Sequence, residues 1–215
     1  MLLICFVFLW GLACVRLSDA LHTGEEIFPS EVIDSDESDA FSDTAMEPEE
    51  HFFNWIVAHE TYSEELLRTD IEGGFFGGNV SDGALLSRTP IVFVHGNSDR
   101  ALGGTLGGWE ALLDDFLSHG YSAGELYGTT YGPADVSQSS LYTHRYAYLH
   151  QVRSHMEAVL AYTGSEKIHV VAHSLGVTMA RKAILGGTGI DDDGNVYDLG
   201  ESLQDSISVF VGIAG

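Results

Sequence analysis

The stretch VVAHSLGV, Val170 to Val177, sets one hydroxyl between an apolar run and an amphipathic segment. KIHVVAHS reads as a strand and GVTMARKAILGG as a helix with a glycine stop. Ser174 therefore stands at the carboxyl end of a strand and just before a helix. A serine on such a junction is presented as a nucleophile toward a carbonyl carbon. The turn is tight, so the residues two before and two after the serine must be small. They are Ala172 and Gly176, with His173 and Leu175 completing the elbow. The first N–H groups of the following helix, Leu175 foremost, point at the place where an oxyanion would form. The plainer role for this serine is to cap the helix at Gly176. The strand before it, the helix after it and the two small flanking residues favour the nucleophile.

A second donor is expected 77 residues earlier, in VFVHGNSD. His95 and Gly96 end an apolar strand there and Asn97 follows, so the Asn97 backbone N–H is the expected partner of Leu175 in an oxyanion hole.

The elements that must position these groups begin after Pro90. IVFVHG is an unbroken apolar run closed by glycine, as in a strand covered on both faces. GWEALLDDFLSHGY reads as a helix with Trp109, Leu112, Leu113 and Phe116 on one side and Gly120 as its stop. SAGELYGTTYG reads as a strand, HRYAYLHQVRSHMEAVLAYTG as a long helix stopped by Gly164, and SISVFVGIAG as a fourth strand. Regular alternation of strands and helices predicts an α/β fold with a mostly parallel sheet and helices on both faces. Active groups in such sheets lie beyond the carboxyl ends of the strands. Upstream, NWIVAHETYSEELLRT reads as a helix broken by the glycine-rich EGGFFGGNVSDG.

The amino-terminal part has a different character. Leu2 to Cys14 is a continuous apolar run of 13 residues, short of the roughly 20 that span a bilayer. It fits the core of a secretory signal peptide, with Ser18 and Ala20 as small residues for cleavage after Ala20. The expectation is a signal peptide over 1–20, no stable membrane span after its removal, and a secreted product. Both cysteines, Cys5 and Cys14, fall inside it, so the mature chain would hold no disulfide and no thiolate. Residues 21–51 read as an acidic disordered leader: from 24 to 50 there are eleven Asp or Glu and no Lys or Arg. Asn79-Val80-Ser81 is a glycosylation sequon if the chain is secreted.

The formal net charge of −23 over 215 residues repels phosphate backbones and anionic headgroups, which argues against nucleic acid as a partner. Asp191–Asn195, DDDGN, lacks the spacing of an EF-hand loop, because Val196 and Ser202 stand where Gly and Glu are needed. His59-Glu60 lacks the second histidine of a zinc helix, because position 63 is serine. Neither a metal nor an organic cofactor is assigned, and nothing in the pattern specifies an oligomeric state.

PIVFVHGNSD, GW, ELYGTTYG, EAVLAYTG, VVAHSLGVTMARKAILGG and VFVGIAG, in this order, resemble the secreted class 2 (triacylglycerol) lipases, nematode-type α/β-hydrolases. Ala-His-Ser-x-Gly also resembles the elbow of small bacterial triacylglycerol lipases. The likeness covers roughly residues 52–215. It implies a lipase-like serine hydrolase acting on carboxylic esters in lipid catabolism. Ser174 would be the nucleophile, Asn97 and Leu175 the oxyanion donors, and His95 and His173 residues that frame the motifs without being the catalytic histidine.

In α/β-hydrolases the acid and the histidine follow the serine along the chain. After Ser174 this sequence has 41 residues and no histidine. The expectation is therefore a partial α/β-hydrolase fold, an N-terminal portion whose later strands would carry the acid and the base after Gly215. His119, His144, His150 and His155 precede the serine and read as surface or packing residues. The alternative is a catalytically inactive truncated or pseudoenzyme form that at most binds lipid. A thioesterase or peptidase remains a third reading, since fold does not set substrate.

Overall fold

A computed structural model of the chain describes residues 3–5, 50–59, 62, 64–78, 86–104 and 106–215. The sequon at Asn79, nearly all of the signal segment and the acidic leader up to residue 49 lie outside the described residues.

Among the described residues eight strands and four α-helices follow one another: β1 (Leu3–Cys5), α1 (Glu50–Ala58), β2 (Phe75–Gly77), β3 (Ile91–Val94), α2 (Glu110–Ser118), β4 (Leu126–Thr129), α3 (Tyr146–Thr163), β5 (Ile168–His173), α4 (Leu175–Leu185), β6 (Thr188–Ile190), β7 (Val196–Asp198) and β8 (Ile207–Ile213). The main sheet runs β8-β5-β3-β4-β2, with β1 alongside β8 at Val211–Ile213. β4, β3, β5 and β8 are parallel, and β2 is antiparallel to β4. This is the α/β sheet expected, with one antiparallel edge.

Alternation along the strands builds two cores. Val92, Val94, Tyr127, Val170 and Ala172 share one cluster with Phe52 and Ile56 of α1, Leu149, Val152 and Met156 of α3, and Met179 and Ala180 of α4. Ile91, Phe93, Leu126 and Val171 share the other with Trp109, Leu113 and Phe116 around α2. Helices thus cover both faces, which is why the central strands read as unbroken apolar runs.

The chain leaves β3 for β4 on one side and leaves β5 for β8 on the other. Neighbouring strands β3 and β5 therefore send their connections in opposite directions. The crevice between their carboxyl ends is the switch point where open α/β sheets bind ligands.

Two local features differ from the sequence reading, and a third, the DDDGN turn, proves to be flanked by two short strands. The glycine-rich segment contains β2, because Phe76 lies over the bare face of Gly128 and continues the sheet edge. The upstream helix ends at Ala58, and Glu64–Leu67 form a separate 3₁₀ turn. DDDGN is the tip of a hairpin, β6 to β7; Asp191 Oδ1 accepts the N–H groups of Asp193 (3.1 Å) and Asn195 (2.8 Å), closing the turn. The helix stops behave as read: Gly120 has φ 84°, and Gly164 caps α3 with φ 65°.

Candidate active site

Ser174 links β5 to α4 with φ 50° and ψ −124°. This is a sparsely populated conformation for a residue with a side chain, costing of order 1–3 kcal/mol. Its backbone is held from both ends. The N–H donates to Ile213 O of β8 at 2.8 Å, and the carbonyl accepts the Val177 N–H at 3.0 Å. Ser174 occupies the N-cap position of α4, yet its side chain makes no capping bond. Among the described residues the hydroxyl has no partner at all. The helix is thus entered without the serine side chain satisfying it, so the plain capping role does not explain this residue.

The small neighbours are required by packing. Ala172 is fully buried in register with Val94 and Gly212. A Cβ on Gly176 would lie 2.5 Å from the Val94 carbonyl oxygen and against that of His95. The first turn of α4 therefore rests directly on the end of β3. Gly96 is tight as well: a Cβ there would lie 2.9 Å from His173 Nδ1 and 3.2 Å from Ser174 Cβ. The fold brings together the two segments that the sequence separates by 77 residues, backbone against backbone.

The segment after β3 is a turn. Asp99 N–H donates to Gly96 O at 3.4 Å, and Ser98 at its third position has φ 61°. Asn97 is pinned by its side chain, whose Nδ2 donates to Ser139 O at 3.0 Å while Oδ1 accepts the Ser98 hydroxyl at 2.7 Å. Its backbone N–H has no acceptor among the described residues. The Leu175 N–H belongs to the first turn of α4, where no intrahelical acceptor exists. Two free N–H groups thus stand on the two segments that meet at Ser174. Beside the turn opens a cleft of about 280 Å³, lined by Ser98, Asp99, Arg100, Leu106, Ala134, Asp135 and Val136. Leu106 and Val136 are exposed on it.

His95 is buried and does not face the serine. Its ring stacks on Tyr131 at 4.2 Å. Burial, helped by the Arg68 guanidinium and the neighbouring His173 ring, pushes its pKa down to about 4, against the opposing pull of its Gly96 hydrogen bond. Tyr131 was not singled out from the sequence; TTYG carries no mark of a ring that packs under a loop 36 residues earlier.

The other histidines are dispersed. His144 Nε2 lies 2.7 Å from Thr178 Oγ1 on α4. His150 packs on the Tyr146 ring, 5.3 Å away. His119 Nδ1 lies 2.8 Å from Asp115 O at the end of α2. His155 is buried with neither ring nitrogen bonded, and burial pushes its pKa down to about 3. None hydrogen-bonds Ser174. Among the described residues no group of three or more His, Cys, Asp or Glu could hold a metal ion, and no helix is long and apolar enough to cross a membrane.

Ser174 thus stands at positive φ between a strand and a helix, at the switch point of a mostly parallel α/β sheet. The family model described as Lipase (class 2) matches residues 88–215, more than half of the chain. The protein belongs to the class 2 lipase family. A comparison with curated proteins found no match.

Proposed function

We propose that the protein is a secreted lipase-like acyl-hydrolase whose nucleophile is Ser174. The observation that carries this reading is the Ser174 backbone at φ 50°, with a hydroxyl that makes no capping bond and has no partner among the described residues. Ser174 Oγ attacks the ester carbonyl carbon and gives up its proton. The carbonyl oxygen becomes an oxyanion facing the Leu175 and Asn97 N–H groups. Collapse of that intermediate expels the alcohol, which takes a proton, and leaves an acyl-serine that water hydrolyses. The net charge of −23 favours an uncharged ester over an anionic headgroup.

The proton needs an imidazole, and none of the described histidines reaches Ser174. In this reading the hydrolase domain begins near residue 52, and the base that accepts the proton is none of the described histidines. Residues 1–20 act as a signal peptide and 21–51 as an acidic leader. The same lack of a histidine at Ser174 favours the second reading, a form that binds lipid without turnover.

An ester series from short to long acyl chains separates them. Hydrolysis that vanishes in Ser174→Ala supports the hydrolase. Identical background rates in both proteins, with retention on neutral lipid emulsions, leave the lipid-binding form. Preference for thioesters or peptides would remove lipase action.

A further inference from the structure

The peptide unit between Gly96 and Asn97 is held at one end and free at the other. Its carbonyl lies 2.7 Å from His95 Nδ1, and its N–H meets no acceptor among the described residues. A carbonyl oxygen only accepts, so the ring proton sits on Nδ1. Nε2 receives the Tyr131 N–H at 3.0 Å and therefore carries no proton. Together the two bonds admit one neutral tautomer. The ring has no freedom to turn: it is buried, stacked on Tyr131 with 10° between planes, and the Tyr131 hydroxyl donates to His95 O at 3.1 Å.

In a planar trans peptide the C=O and N–H point to opposite sides, and the described chain has no cis bond. Gripping the Gly96 carbonyl therefore sets the direction of the Asn97 N–H. If that peptide turned over, an oxygen would replace the donor, and an oxyanion would be repelled.

We propose that His95 is a positioning residue: its Nδ1–H clamps the Gly96 carbonyl and so aims the Asn97 N–H at the oxyanion formed on Ser174. The consequence for catalysis rests on the acyl-hydrolase reading; the clamp itself does not. A second ring proton would collide with the Tyr131 N–H and open the clamp. The charged and titratable groups around it are Arg68, whose guanidinium donates to Thr130 O and Gly132 O, His173 beside Gly96, Asp99 across the turn, and Tyr131 itself. Arg68 and His173 both oppose that proton.

Two measurements test this. Long-range ¹H–¹⁵N correlation on the full chain reads the His95 tautomer. A single Nδ1–H form, constant from pH 8 to pH 5.5, is expected; an Nε2–H form or tautomer averaging overturns the clamp. The second is the rate at which an alkyl p-nitrophenyl phosphonate labels Ser174. His95→Phe keeps the stacking and loses both bonds, and should label 10- to 100-fold more slowly. His95→Asn places an amide nitrogen where Nδ1 was and should recover most of the rate. Where ester turnover is measurable, kcat should fall in His95→Phe with KM within about threefold, since an oxyanion donor acts in the transition state. Equal labelling of wild type and a folded His95→Phe overturns the proposal. If the wild type is not labelled at all, the hydrolase reading fails, and the clamp stands or falls on the tautomer.

Discussion

β5 and β8 lie side by side, pair in parallel over six registers and have similarly apolar sequences, IHVVAH and ISVFVGI. Their surroundings differ. Every residue of β5 through Ala172 is buried, whereas β8 is half-buried along most of its length and Ser208 is exposed. β5 pairs with β8 from Ile168 to His173 and with β3 from His169 to Ala172, under helices on both faces; among the described residues β8 has only Leu3–Cys5 beyond it, at Val211–Ile213. Burial is a property of neighbours, and an apolar strand does not carry it in its composition. The site follows the same division. Both segments of the proposed oxyanion hole hang from the buried centre, β3 and β5, while β8 contributes one carbonyl that holds the Ser174 N–H.

The sharpest way to break this comparison is a charge on each strand. Val170→Asp buries an unpaired carboxylate and should cost about 4 kcal/mol or more, enough to leave the chain unfolded. Val209→Asp should cost about 1–2 kcal/mol and shift the urea midpoint only modestly. Equal damage would show that β8 is covered in the protein. Glycines make the same contrast. Gly176→Ala drives a methyl into the Val94 carbonyl and should cost about 3 kcal/mol, by backbone displacement. Gly212→Ala in β8 would meet Val177 Cγ1 at 3.3 Å and should cost less than about 1 kcal/mol.

His155 tests the core beneath β5 by pH. Its ring abuts Phe52 and Phe75 of the cluster that holds Val170. Its pKa falls from 6.5 to about 3 on folding, so below pH 6.5 the unfolded chain takes up a proton that the folded chain refuses. Stability therefore drops as pH falls from 6.5 toward 3, by about 2 kcal/mol at pH 5. In His155→Leu the loss between pH 7.5 and pH 5 should shrink by about 2 kcal/mol, the remainder being carried by buried His95; an unchanged slope would place the acid sensitivity elsewhere. The smallest effect is at the elbow. Ser174→Gly relieves the positive φ and should raise stability by about 1 kcal/mol, whereas Ser174→Ala keeps the strain and should leave it near neutral. Both should abolish phosphonate labelling. Ala214, also at φ 50° past the end of β8, should gain as much from glycine with labelling intact.

The elbow was legible because it is local. Ala172, Ser174 and Gly176 lie within five residues between a strand and a helix, and each is demanded by a turn whose sterics act over that span. The central strands were legible because helices on both faces leave no polar positions in IVFV or HVVA. β2 was not: FFGG has no alternation, and its pairing with β4 comes from Phe76 covering Gly128, a contact across 52 residues. The β6–β7 hairpin was also missed, because Thr188–Ile190 and Val196–Asp198 are too short and too exposed to show a period of two.

By itself, the order of residues determined the class of sheet, the serine that stands at its switch point, the small residues around it and the family likeness over roughly residues 52–215. The tertiary structure decided the rest of the site. His95 reads as one more strand-ending residue until Tyr131 is found beneath it, and Asn97 becomes a donor only because Gly96 rests on Ser174. Both depend on approaches across 36 and 77 residues, and such distances are set by the packing of β3 between β4 and β5, not by any local pattern.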